Sequence, residues 1–126
     1  MYKLLALDMD GTLLNNNKVV TSEVAKQIKK LMNQGTKVTI ASGRFPASVW
    51  LHAKALGLNS PLVALNGAVI LDPNTGEEID TVTFSREVAL EIAQFANRND
   101  VYVHYYGYNN LFVEKVNEMN KKWSIA

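Results

Sequence analysis

The chain has no cysteine, so disulfides, thiolate nucleophiles and Cys-ligated metal sites are excluded. An excess of charge of one sign is also missing, with 13 Lys and Arg against 12 Asp and Glu and a net charge of +1. That balance gives no electrostatic reason to expect nucleic acid or an anionic membrane surface as a partner. Long apolar runs are absent too. Leu4-Leu5-Ala6-Leu7 is stopped at once by Asp8, too early for a signal-peptide core or a membrane span. There are no internal repeats, no low-complexity segment and no long linker. What remains is 126 residues, 48% apolar and 20% charged, an ordinary globular composition with length enough for a core. Lack of cysteine is compatible with the cytosol, and the expectation is a soluble, cytoplasmic protein.

Residues 3–7 form a short continuous apolar run ending at carboxylates, which suits a strand buried on both faces of a parallel sheet. Residues 8–21 read as a long connection. Within it Leu13-Leu14 and Val19-Val20 flank Asn15-Asn16-Asn17-Lys18, which suggests a small hairpin. Thr21 or Ser22 can cap a helix with Val24, Ile28, Leu31 and Met32 on one face, and Gly35 ends it. Residues 37–41 are a second buried strand, followed by Ser42-Gly43-Arg44. Pro46 opens a helix bearing Val49, Trp50, Ala53 and Leu56, and Gly57 closes it. Residues 62–65 are a third strand, closed by Asn66-Gly67. Residues 68–71 and 77–81 read as a hairpin around Asp72-Pro73-Asn74-Thr75-Gly76. Strand, helix, strand, helix, strand predicts an α/β parallel-sheet core.

The pattern changes near residue 82. Ser85 caps a helix bearing Val88, Ala89, Ile92, Phe95 and Ala96. A hairpin follows, residues 101–106 and 111–113 around Gly107-Tyr108-Asn109-Asn110, and residues 114–123 begin another helix. The expected division is therefore a core over 1–81 and a second α+β unit over 82–126. Tyr102, His104 and Tyr106 alternate onto one face of a strand, a packing surface or a substrate-facing one. His52, inside a helix, reads as packing or surface.

Ligands of open parallel sheets collect outside the carboxyl ends of the strands. Three such ends are polar here: Asp8-Met9-Asp10-Gly11-Thr12, Ser42-Gly43-Arg44 and Asn66-Gly67. Asp8 and Asp10 repel each other unless a cation lies beside them. No Lys or Arg is adjacent to them in sequence, and magnesium, which prefers oxygen ligands, resolves the repulsion. Gly11 allows a tight turn whose amides can face an anion. A carboxylate at such a site can attack phosphorus, and a second can act as general acid and base. Ser42 and Gly43 add a hydroxyl and amides near a helix start, although they also read as a plain cap and turn. Arg44 is a phosphate contact or a surface residue. Asn66-Gly67 is a ready-made turn or a third side of the site.

Leu7-Asp8-Met9-Asp10-Gly11-Thr12-Leu13-Leu14 resembles the first motif of the haloacid dehalogenase-like (HAD) hydrolases, and Ala41-Ser42-Gly43-Arg44 resembles the second. Leu65-Asn66-Gly67-Ala68 resembles the Cof-type branch of sugar-phosphate and cofactor phosphatases. The resemblance covers the whole chain. It implies a Rossmann-like core followed by the start of an α/β cap, and a flap where residues 13–20 were read as a hairpin. It also implies a magnesium-dependent phosphatase acting on a small phosphorylated metabolite. Asp8 would be nucleophile and metal ligand. Asp10 would be general acid and base, with its backbone carbonyl on the metal. Ser42 would bind the phosphoryl group. Met9, Gly11, Thr12, Gly43, Arg44, Asn66 and Gly67 complete the candidate phosphate- and substrate-binding set. The family's later lysine and aspartate motifs fall beyond Ala126. The core is thus expected to be incomplete, with weak metal binding, little turnover and an open sheet edge prone to self-association.

Two other classes use similar features. A receiver-like signalling domain accepts a phosphoryl group on aspartate, but on a later strand. A non-catalytic fragment would fold or pair without hydrolysis. A dinucleotide-binding domain is disfavoured because the first loop has no Gly-x-Gly-x-x-Gly.

Overall fold

The computed structural model describes residues 2–107 and 110–113. The chain divides into two compact units, Met1–Val82 and Thr83–Ala126. The helix expected from residue 114, Trp123 and Lys121-Lys122 lie outside the described residues.

In the first unit β1 (Leu4–Leu7) runs parallel to β2 (Lys37–Ile40), with Leu4 opposite Lys37 and Leu7 opposite Ile40. The crossover helix α1 (Ser22–Asn33) starts where Thr21 Oγ1 accepts the Val24 N–H at 3.3 Å. Glu23 in its first turn and Lys30 in its last suit the helix dipole. Gly35, at φ 89°, ends it. The Thr36 N–H then reaches Leu31 O at 3.1 Å and the Gly35 N–H reaches Met32 O at 2.9 Å, a Schellman closure. Ile28 is buried and Leu31 and Met32 half-buried, while Val24, on the same stripe, stays exposed.

Helix α2 (Pro46–Leu56) carries Pro at its start and Gly57, at φ 68°, at its end. It buries Val49 and Ala53 completely. β3 (Leu62–Ala64) continues the parallel order beside β2 through the Ala41–Val63 bridge, with the Ser42 N–H on Val63 O at 3.0 Å. Its other edge is antiparallel, taking β4 (Val69–Leu71), which pairs in turn with β5 (Glu78–Thr81). The β4–β5 turn is built as its sequence predicts. Asp72 Oδ1 accepts the Asn74 and Thr75 N–H groups, and the Gly76 N–H returns to Asp72 O. Met9, Ile40, Leu62, Leu71, Val38 and Val49 are the largest fully buried side chains, so the core lies where strands and helices meet.

Two expectations need correction. β1 is not buried on both faces: Leu5 and Leu7 pack on the core, while Leu4 is 59% exposed and Ala6 is exposed. Among the described residues β1 pairs with β2 alone, so one of its edges is open. Residues 13–20 do not form paired strands. They make a closed loop in which the Asn15 N–H meets Val19 O and the Lys18 N–H meets Asn15 O. Asn15 satisfies the loop amides with its own side chain, so no strand ladder is needed.

In the second unit Ser85 caps α3 (Arg86–Arg98) by accepting the Val88 N–H. β6 (His104–Tyr106) and β7 (Leu111–Val113) form the expected antiparallel hairpin. The Tyr105 hydroxyl donates to Ala89 O at 2.8 Å and Phe84 meets its ring edge-on, so the helix packs against that strand face. The opposite face carries Tyr102, His104 and Tyr106 in ring contact at 5.6 and 5.1 Å. The helix stripe is less buried than its period suggests. Ala96 is covered, whereas Val88, Ile92 and Phe95 remain exposed.

Candidate functional site

The site gathers at the carboxyl ends of β1, β2 and β3. After β1 the chain folds into a tight turn: the Leu13 N–H donates to Asp8 O at 3.1 Å and the Leu14 N–H to Met9 O at 2.9 Å. Gly11, at φ 77°, permits that reversal. Met9, Leu13 and Leu14 are all buried and pin the turn to the core. Asp8, Asp10, Gly11 and Thr12 are left exposed above it. The Met9 side chain is fully buried, leaving its main chain alone for a ligand.

The second and third segments are tied together. The Asn66 N–H donates to Ser42 O and the Leu65 N–H to Arg44 O, both at 3.1 Å. Leu65, Asn66 and Gly67 follow one another at φ 47°, 56° and 98°, a left-handed run that costs energy outside glycine. A Cβ on Gly43 would lie 2.8 Å from Asn66 Oδ1, so the Asn66 side chain sits where any larger residue would displace it. Ser42 is buried, and its Oγ accepts the Arg44 N–H at 3.2 Å.

Arg44 bridges to the first segment. Its Nε donates to Asp10 Oδ2 at 2.7 Å and its Nη2 to Asp10 Oδ1 at 2.9 Å, a bidentate pair. Its Nη1 donates to Ser48 Oγ on α2 at 3.3 Å. Lys18 Nζ also donates to Asp10 Oδ1, at 2.7 Å. The hydrogen bond from Arg44, then that from Lys18, holds the Asp10 carboxyl well below the usual carboxylate range. The same bond pushes the Arg44 guanidinium up, and the charge of Asp8 adds to that shift.

No Lys or Arg is adjacent to Asp8 or Asp10 in sequence, yet the fold gives Asp10 two cationic partners. Arg44 and Lys18 supply two cations that folding brings in from distant positions. Oxygen donors suited to magnesium are present in the exposed Asp8 carboxylate and the Asp10 carbonyl. Both Asp10 carboxylate oxygens, however, are engaged by nitrogen donors. Among the described residues no group of three or more His, Cys, Asp or Glu gathers to hold a metal ion. Sequence reasoning missed Lys18 and Ser48. The turn-rich Asn15-Asn16-Asn17 ahead of Lys18 was the available signal that this lysine would be delivered back towards Asp10.

A turn carrying paired carboxylates after the first strand is thus locked, through Arg44 and Asp10, to a Ser-Gly-Arg turn after the second. The family model for haloacid dehalogenase-like hydrolases matches residues 5–125, and the chain belongs to that family. Among its relatives is the 5-amino-6-(5-phospho-D-ribitylamino)uracil phosphatase YwtE of Bacillus subtilis, 35% identical over 105 residues. That match covers 82% of this chain and 35% of YwtE. Phosphatase YwpJ of the same organism is 31% identical over 100 residues, covering 79% of this chain and 35% of the relative. A solved phosphatase of the same superfamily from Bacteroides thetaiotaomicron superposes with a TM-score of 0.81 at 27% identity. It covers 98% of this chain and 46% of that structure. The chain spans less than half the length of the curated relatives it matches. No helix among the described residues is long and apolar enough to cross a membrane.

Proposed function

We propose that this chain supplies the nucleophile and part of the phosphate site of a magnesium-dependent phosphatase acting on a small phosphomonoester. The observation that carries this reading is the placement of Asp8: exposed at the end of β1, on a turn pinned by Met9, Leu13 and Leu14. A fixed, solvent-facing carboxylate beside Ser42, Arg44 and a left-handed glycine turn is suited to phosphoryl transfer by positioning and electrostatics.

In this reading an Asp8 carboxylate oxygen attacks phosphorus, the ester P–O bond breaks, and the leaving oxygen takes a proton from Asp10. Asp10 then takes a proton from water as that water attacks phosphorus. The Asp8–phosphorus bond breaks and inorganic phosphate leaves. Arg44 and Lys18 hold Asp10 anionic, the state needed to accept the proton in the second half. Protonating the leaving oxygen in the first half requires those cations to move off Asp10, which takes a proton from solvent before the first attack and from the attacking water in each later cycle. Ser42 and the amides around Gly11 and Gly43 receive the phosphoryl oxygens, with Thr12, Asn66 and Gly67 bordering them. The Asp8 carboxylate and the Asp10 carbonyl would hold magnesium, which would supply positive charge to the phosphoryl group. The unit after residue 82 serves as the start of a cap that selects substrate. The name of YwtE supports a sugar-phosphate or cofactor-like substrate, in keeping with a small phosphorylated metabolite.

The test is phosphate release from a generic aryl phosphate, with and without magnesium, beside Asp8→Asn. It is run on the 126 residues alone and on the same residues continued by the remaining length of YwtE. Weak or no release from the short chain is expected, with magnesium-dependent release from the continued chain that Asp8→Asn abolishes. A continued chain that folds but releases no phosphate would overturn the reading.

A further inference from the structure

Lys18 stands at φ 60°, a backbone state that lysine adopts at a cost. The loop that holds it there is closed on every side. Asn15 Oδ1 accepts the Asn17 N–H at 2.9 Å and the Val19 N–H at 3.1 Å. The Lys18 N–H donates to Asn15 O at 2.9 Å, and the Asn15 N–H to Val19 O at 3.0 Å. The result is an ammonium aimed at Asp10 Oδ1, the oxygen that Arg44 Nη2 also holds. The Lys18 side chain is 63% exposed, and exposed ion pairs contribute little to stability. A strained backbone that delivers a weakly stabilising contact is therefore not explained by stability.

Charge supplies the explanation. With no metal bound, Asp8 and Asp10 carry two negative charges, and Arg44 alone would leave the mouth of the site negative as a phosphomonoester approaches. Lys18 brings the four side chains to neutrality. We propose that Lys18 is a further phosphate-recognition residue, its ammonium passing from Asp10 to the phosphoryl group as that group enters. This rests on the phosphatase reading above. Arg44 holds Asp10 through two bonds and Lys18 through one, so the lysine is the first of the two cations to turn.

The test is the dissociation constant of the 126-residue chain for inorganic phosphate, by titration calorimetry at low salt, for wild type and three variants. Lys18→Gly removes the charge and relieves the left-handed backbone, so its melting temperature is expected to hold or rise. Its dissociation constant is expected to rise about fivefold, the scale of one exposed charge contact. That difference should shrink as salt is added. Lys18→Arg should restore most of the affinity. Lys29→Ala, which removes an equal charge from the exposed side of α1, should leave affinity unchanged. Equal affinity in wild type and Lys18→Gly overturns this inference and leaves the phosphatase reading standing. A wild-type chain that binds no phosphate overturns the inference even where Asp8-dependent turnover by the continued chain upholds the phosphatase reading.

Discussion

Asp10 accepts three hydrogen bonds from two cations that stand eight and 34 positions away in the chain. Its folded-state ionisation lies below that of an unfolded chain, because both partners favour the charged form. The sign follows. The contribution is present above the ordinary carboxylate range and is lost as pH falls through the lowered folded value. The group is exposed, so its share of stability at neutral pH is small, about 0–1 kcal/mol. Arg44→Ala should therefore barely move the neutral melting temperature. It should raise the Asp10 midpoint towards the ordinary carboxylate value, read by carbon NMR of the carboxyl. An unmoved midpoint would show that the bidentate pair is not formed in solution. At this scale the sequence was legible where residues are neighbours, as in Asp8-Met9-Asp10-Gly11-Thr12. It was not legible where folding creates the neighbour, as with Lys18 and Arg44 on Asp10. Local spacing carries no trace of a partner that a later loop supplies.

Elements were readable wherever a cap or turn residue fixes its own geometry. Thr21, Gly35, Pro46, Gly57, Ser85 and the Asp72 turn all act within a few positions of themselves, and each boundary fell where chemistry placed it. The misreadings of burial have one physical source. Burial on both faces of β1, and the full apolar stripe of α3, depend on what packs against them, which periodicity does not report. The β4–β5 turn offers a direct check. A Cβ on Gly76 would meet the Trp50 ring at 2.8 Å, and the residue sits at φ 79°. Gly76→Ala should cost about 1–3 kcal/mol in denaturant unfolding. Leu71→Ala, at a core position 1% exposed, should cost about 2–5 kcal/mol in the same assay. In the second unit Tyr105→Phe should cost about 1 kcal/mol through the lost bond to Ala89.

For the whole molecule, the parallel order of the first three strands explains why three polar segments distant in sequence share one end of the sheet. Among the described residues one edge of β1 is unpaired and Leu4 is exposed beside it, which predicts concentration-dependent self-association on size-exclusion chromatography. Leu4→Lys should shift that equilibrium towards monomer, and a profile independent of concentration would contradict it. In the proposed reaction Asp8 carries the phosphoryl group during turnover. The most direct measurement is acid quenching of the continued chain during aryl phosphate hydrolysis, followed by peptide mass mapping. A phosphoryl group on the peptide bearing Asp8, absent from Asp8→Asn, is the predicted result. Turnover that persists in Asp8→Asn, with no adduct on that peptide, would contradict it.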